Sequence, residues 1–111
     1  APLLPHQLKR LARRVTFGVG RTGGLANHGS GDLFLAFSTA NSGLGGGENT
    51  AILTARFVPD EDMDPLFEAV AQATEEAIIN SMIANEDTVG CDGNFVPALP
   101  HGVLARVFGI G

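Results

Sequence analysis

The chain has 111 residues, 44% of them hydrophobic, with seven Phe but no Tyr or Trp, a net charge of −5 and one cysteine. That length and the absence of an apolar run of 18 residues leave one soluble unit of ordinary domain size and exclude a transmembrane helix. Cys91 alone excludes an internal disulfide framework; it is read as structural or incidental, and a cytoplasmic location is expected.

Charge is unevenly distributed. Lys9, Arg10, Arg13, Arg14 and Arg21 precede every acidic residue, so residues 1–31 carry +5, and two basic against twelve acidic residues leave −10 on the rest. The two parts are able to attract each other. No aromatic residue alternates with the arginines and the net charge is negative, so nucleic-acid binding is not expected. The basic cluster reads as a solvated helix face or as a contact with an acidic neighbour. The start, Ala1-Pro2-Leu3-Leu4-Pro5, has neither the basic nor the long apolar region of a signal peptide, and the chain is expected to be a piece of something longer.

Pro5 suits the first turn of a helix, and Leu8, Leu11, Ala12 and Val15 repeat at helical spacing. A first helix is predicted from residue 5 to about 20, ended by Gly18 and Gly20, with Gly23 and Gly24 continuing the break. Residues 18–23 match G-x-G-x-x-G, but they close a helix where a dinucleotide-binding loop opens one. Gly31–Ala40 is predicted as a strand, and its apolar run Leu33–Phe37 suggests burial on both faces. The Gly-rich residues 41–49 read as a hairpin loop, not a phosphate cradle, since no Gly-Lys-Ser/Thr follows. Residues 50–58 form the second predicted strand, antiparallel to the first.

Asp60-Glu61-Asp62-Met63-Asp64-Pro65 signals a helix start with an Asp cap. The helix is predicted over about 64–84, with Leu66, Val70, Ala73, Ala77 and Met82 on a broad apolar face and Glu68, Glu75 and Glu76 facing water. Residues 86–94 read as a polar turn without calcium-loop spacing, and residues 103–108 as a final helical turn or two. His6, His28, His101 and Cys91 lack ligand spacing, so neither a metal nor a cofactor is expected. The order helix, strand, strand, helix gives an α+β unit spanning 1–111, whose first strand requires further sheet from elsewhere.

The residues with most chemical content are Ser30 and Asp32, placed between glycines directly before the apolar run. On a straight strand His28, Ser30 and Asp32 share a face, but at about 6.6 Å per two residues they are too far apart for a Ser–His–Asp relay. Two roles remain open: capping a strand after a Gly-rich turn, or supporting a nucleophile supplied by another segment.

Pro2-Leu3-Leu4-Pro5, Gln7 to Arg14, Gly29-Ser30-Gly31-Asp32-Leu33-Phe34-Leu35-Ala36-Phe37-Ser38-Thr39-Ala40-Asn41, Thr88-Val89-Gly90, Asp92-Gly93 and Ala98-Leu99-Pro100-His101 resemble the DmpA family of L-aminopeptidase D-Ala-esterase/amidases and β-peptidyl aminopeptidases. The resemblance covers nearly the whole chain. It implies part of an αββα sandwich of N-terminal-nucleophile hydrolase type, made from a precursor that cleaves itself before a serine into α and β chains. The new N-terminal serine then attacks small peptide, amide or ester substrates, with its own α-amine as base. Ser30 matches the family serine that hydrogen-bonds around the nucleophile, and Asp32 its acidic companion; His28 matches no catalytic position. The family's nucleophile and its α chain lie outside these residues, which therefore correspond to most of a β chain without its first strand, inactive alone. An α-chain partner and an assembly of several αβ units are implied. Another possibility is a non-catalytic subunit or fragment that binds a partner chain.

Overall fold

The computed structural model describes residues 1–44 and 52–110. Its helices are α1 (Pro5–Arg21), α2 (Asp64–Ala84) and α3 (His101–Phe108); short strands β1 (Thr88–Val89) and β2 (Phe95–Val96) form one sheet, and Asp60–Asp62 and Cys91–Gly93 are single 3-10 turns. The residues fall into two compact units, Ala1–Glu75 and Glu76–Gly111.

In the first unit α1 begins at Pro5, whose missing N–H costs nothing at a helix start. Leu4 offers no side-chain cap, so the geometry is one-sided: the Leu4 N–H donates to Gln7 Oε1 at 3.0 Å. Gln7 is 1% exposed, and its amide nitrogen donates to the Val58 carbonyl at 2.7 Å and to Asp60 Oδ1 at 2.9 Å. A buried amide thus has partners on both ends, which is what makes its burial tolerable. Asp60, in the acidic run before α2, anchors α1; α2 starts four residues later, where the carbonyl of fully buried Met63 accepts from the Leu66 and Phe67 N–H groups.

Further along, the basic residues of α1 meet α2. The Arg10 and Arg14 guanidinium groups lie 5.0 Å and 3.9 Å from the centre of the Phe67 ring, Arg10 approaches Asp60 Oδ1 at 3.5 Å, and Arg21 bonds Glu75 at 3.3 Å. Three of the five basic residues are therefore used within the unit, and Glu75 is half-buried against Arg21 where a solvent-facing position was expected. Gly18 is buried at the crossing: a Cβ there would press on Thr74 and sit 2.6 Å from the Ala71 carbonyl oxygen. The GxGxxG pattern thus serves helix packing and, through Gly23 at φ 93°, helix termination.

The two expected strands are not hydrogen-bonded ladders among the described residues; residues 45–51, including most of the expected loop and the first two residues of the second strand, lie outside them. What couples the segments is a side chain. Asn41 donates to the Arg56 carbonyl and accepts from the Arg56 N–H, both at 2.9 Å, the pair of bonds a facing strand residue would make. The apolar run expected to be buried on both faces is open instead, with Leu33 95%, Leu35 88% and Phe37 77% exposed. A strand apolar on both faces needs neighbours in the sheet and a layer over each face, and the described residues provide neither in full. Leu35, Ala36 and Phe37 line an open apolar trough of about 480 Å³ with Leu8 and Leu11 of α1 and Leu66 and Val70 of α2.

The second unit contains a hairpin that sequence reading left as a turn. Thr88 pairs with Val96 and Val89 with Phe95, and the Gly90 N–H donates to the Asn94 carbonyl at 2.7 Å. Asp92 at φ 56° and Gly93 at φ 75° turn the chain back; Asp-Gly between two β-branched or aromatic pairs is the signal that could have revealed it. The Asp87 carboxylate accepts the Ala98 N–H at 2.7 Å, and the His101 ring nitrogen Nε2 donates to the Ile83 carbonyl at 2.9 Å. α3 ends at left-handed Gly109, with the Ile110 N–H returning to the Ala105 carbonyl. No helix among the described residues is long and apolar enough to cross a membrane.

Candidate active site

The site grows from a turn. After Gly23 and Gly24 end α1, Ala26 takes the left-handed conformation at φ 47°, and the Ser30 N–H donates to the Asn27 carbonyl at 2.8 Å. His28 and Gly29 occupy the bend of this turn. The chain leaves it with Ser30 and Asp32 on the same side, and the Ser30 hydroxyl donates to Asp32 Oδ2 at 2.9 Å. Both residues are exposed.

The geometry shows how the two side chains meet. Neither side chain caps a ladder; they bond to each other at the rim of a cleft of about 390 Å³, lined also by Thr16 and Val19 of α1, by Asn27 and His28 of the turn, and by Phe34. His28 is near but, among the described residues, no histidine hydrogen-bonds Ser30 or Asp32. With its proton committed to a carboxylate, the Ser30 oxygen keeps its lone pairs for a donor arriving from outside the pair. The arrangement can orient a hydroxyl or ammonium group; among the described residues no imidazole or amine hydrogen-bonds Ser30.

Thr16 and Asn27 were not singled out from the sequence. Asn27 carries the ordinary signal of a turn residue, and Thr16 follows Ala12 and Arg13 at helical spacing. Among the described residues no three His, Cys, Asp or Glu side chains gather in a metal-binding group.

The model of peptidase family S58 matches residues 1–96. The β-peptidyl aminopeptidase BapA of Sphingosinicella microcystinivorans is 44% identical over 108 residues, which are 96% of this chain and 27% of that protein. Among solved structures, the L-aminopeptidase D-Ala-esterase/amidase of Ochrobactrum anthropi, described as a prototype for the serine aminopeptidases and a new variant among the Ntn hydrolase fold, superposes with a TM-score of 0.84 at 42% identity, over 97% of this chain and 31% of that one. A β-aminopeptidase of a Burkholderia species gives 0.85 at 39% identity, over 100% of this chain and 33% of that one. The chain spans about a quarter of the length of the curated relative. The α+β arrangement is that of the corresponding part of these Ntn hydrolases, and the chain belongs to peptidase family S58.

Proposed function

We propose that this chain contributes Ser30 and Asp32 to a self-processed serine aminopeptidase or amidase that removes N-terminal residues from small peptides, amides or esters. The observation that carries the reading is the 2.9 Å bond from the Ser30 hydroxyl to the Asp32 carboxylate on the Gly-Ser-Gly-Asp segment, in a chain whose relatives are aminopeptidases. The nucleophile is an N-terminal serine on a segment preceding these residues. Its hydroxyl oxygen attacks the substrate carbonyl while its own α-amine takes the proton; that proton passes to the leaving amine, and water then hydrolyses the acyl ester. Ser30 is a positioning residue in this scheme. Its free lone pairs accept a hydrogen bond from the nucleophile, and Asp32 fixes the hydroxyl rotor and favours the transient ammonium.

An α chain from the same precursor completes the site with the oxyanion donor and the pocket for the substrate's amino group, and several αβ units assemble in the cytoplasm. The open Leu33–Phe37 run supports such a partner, because the side chains exposed on this chain are those a covering strand and layer would bury. Intact mass and N-terminal sequencing of the denatured natural protein test the proposal. A chain extended by several residues, led by serine and accompanied by a larger partner, is expected. A lone species beginning at Ala1 would overturn it.

A further inference from the structure

We propose that Lys9 and Arg13 form a carboxylate subsite beside the Ser30–Asp32 pair, so that the enzyme prefers peptides with a free carboxyl terminus over the corresponding amides; this deepens the aminopeptidase reading and rests on it. The basic residues of α1 divide into two sets. Arg10, Arg14 and Arg21 are engaged with Asp60, Phe67 and Glu75. Lys9 and Arg13 are exposed and, among the described residues, in no ion pair. They stand one helical turn apart, a spacing at which like charges repel and an anion between them relieves the repulsion.

Lys9, Ala12, Arg13 and Thr16 form one stripe of α1, and together they line a cleft of about 360 Å³ with Asp32, Leu33 and Phe34. Thr16, Asp32 and Phe34 also line the cleft that holds Ser30. The two clefts therefore adjoin at Thr16, Asp32 and Phe34, with Ser30 on one side and the two cations on the other. At a helical rise of about 1.5 Å per residue, Arg13 lies about 4.5 Å and Lys9 about 10.5 Å beyond Thr16. An extended peptide advances about 3.3 Å per residue, so a carboxylate one to three residues from the Ser30 end meets one cation or both.

The charges also give the adjoining clefts a direction. Asp32 repels a carboxylate at the Ser30 end, while Arg13 offers a planar fork that matches a carboxylate and Lys9 a point charge. An amide or ester end lacks the charge that this end recognises. The orientation presents the amino-terminal residue to the catalytic end, as an aminopeptidase requires.

The test compares kcat/KM for trialanine and trialanine amide in the complete αβ enzyme, with and without K9Q/R13Q. The wild-type enzyme is expected to favour the free acid, and the acid-to-amide ratio to fall roughly five- to tenfold in the variant, as for loss of one or two exposed charge pairs. The fall should lie in KM, shrink in high salt, and be largely reversed by K9Q combined with Arg13 restored. Hydrolysis of both substrates at a ratio that K9Q/R13Q leaves unchanged would overturn this proposal alone. Hydrolysis of neither by the wild-type enzyme would overturn the aminopeptidase reading with it.

Discussion

Gln7 and Asp60, 53 positions apart in the sequence, are joined by a 2.9 Å hydrogen bond from the buried Gln7 amide to the Asp60 carboxylate. The same amide holds Val58 and the Leu4 N–H, so one side chain fastens the start of α1 to the segment that leads into α2. Thr16 and Val19, which line the Ser30 cleft, lie on that helix. Fold and site are thereby linked through α1.

Gln7→Ala removes a donor from the Val58 carbonyl and from Asp60 and an acceptor from the Leu4 N–H. Such losses cost about 1–3 kcal/mol when the abandoned groups stay dry. Denaturant unfolding of the full-length protein should show a lower midpoint with an unchanged slope. An unaltered midpoint would mean that the three groups find other partners.

The Gln7 hydrogen bond holds the Asp60 carboxyl below its ordinary range against the opposing effect of desolvation, with smaller contributions from the nearby Arg10 and His6. A depressed carboxyl pKa contributes stability that is complete above the unfolded value, near 3.9, and is lost as pH falls through the folded value below it. Thermal midpoints measured from pH 6 down to 3 should therefore decline less steeply for Asp60→Asn than for the wild type. Equal slopes would remove Asp60 from the acid response.

Gly18 and Gly20 are two residues apart in α1 and should respond oppositely to alanine. At Gly18 the added carbon meets Thr74 and the Ala71 carbonyl, whereas at Gly20 there is nothing within 4 Å. Gly18→Ala should destabilise by roughly 1–3 kcal/mol through forced separation of the helices, and Gly20→Ala should be neutral or stabilising by up to about 1 kcal/mol from helix propensity. Melting both variants beside the wild type checks the pair; a stabilised Gly18→Ala would contradict the close crossing.

Local signals carried much of this architecture. Pro5, the Leu8–Leu11–Val15 spacing and the acidic run before Pro65 marked both long helices to within a residue of their observed ends. Ser30 and Asp32 stood out because polar groups between glycines adjoined an apolar run, and the structure brings them into contact. Long-range partners were illegible: nothing near Gln7 announces Val58 or Asp60, and nothing near Arg14 announces Phe67. Leu33–Phe37 has the composition of a doubly covered strand, but strand pairing is a property of what lies beside the segment, and the described residues place no ladder there.

The Ser30–Asp32 pair is most directly tested by Ser30→Ala in the proposed αβ enzyme, with kcat for a small peptide amide and the thermal midpoint measured on the same preparation. Both side chains are exposed, so the midpoint should stay within a degree or two while kcat falls by about 10²-fold, the scale of a misplaced reacting group. An unchanged kcat in a normally folded variant would contradict the role assigned to Ser30.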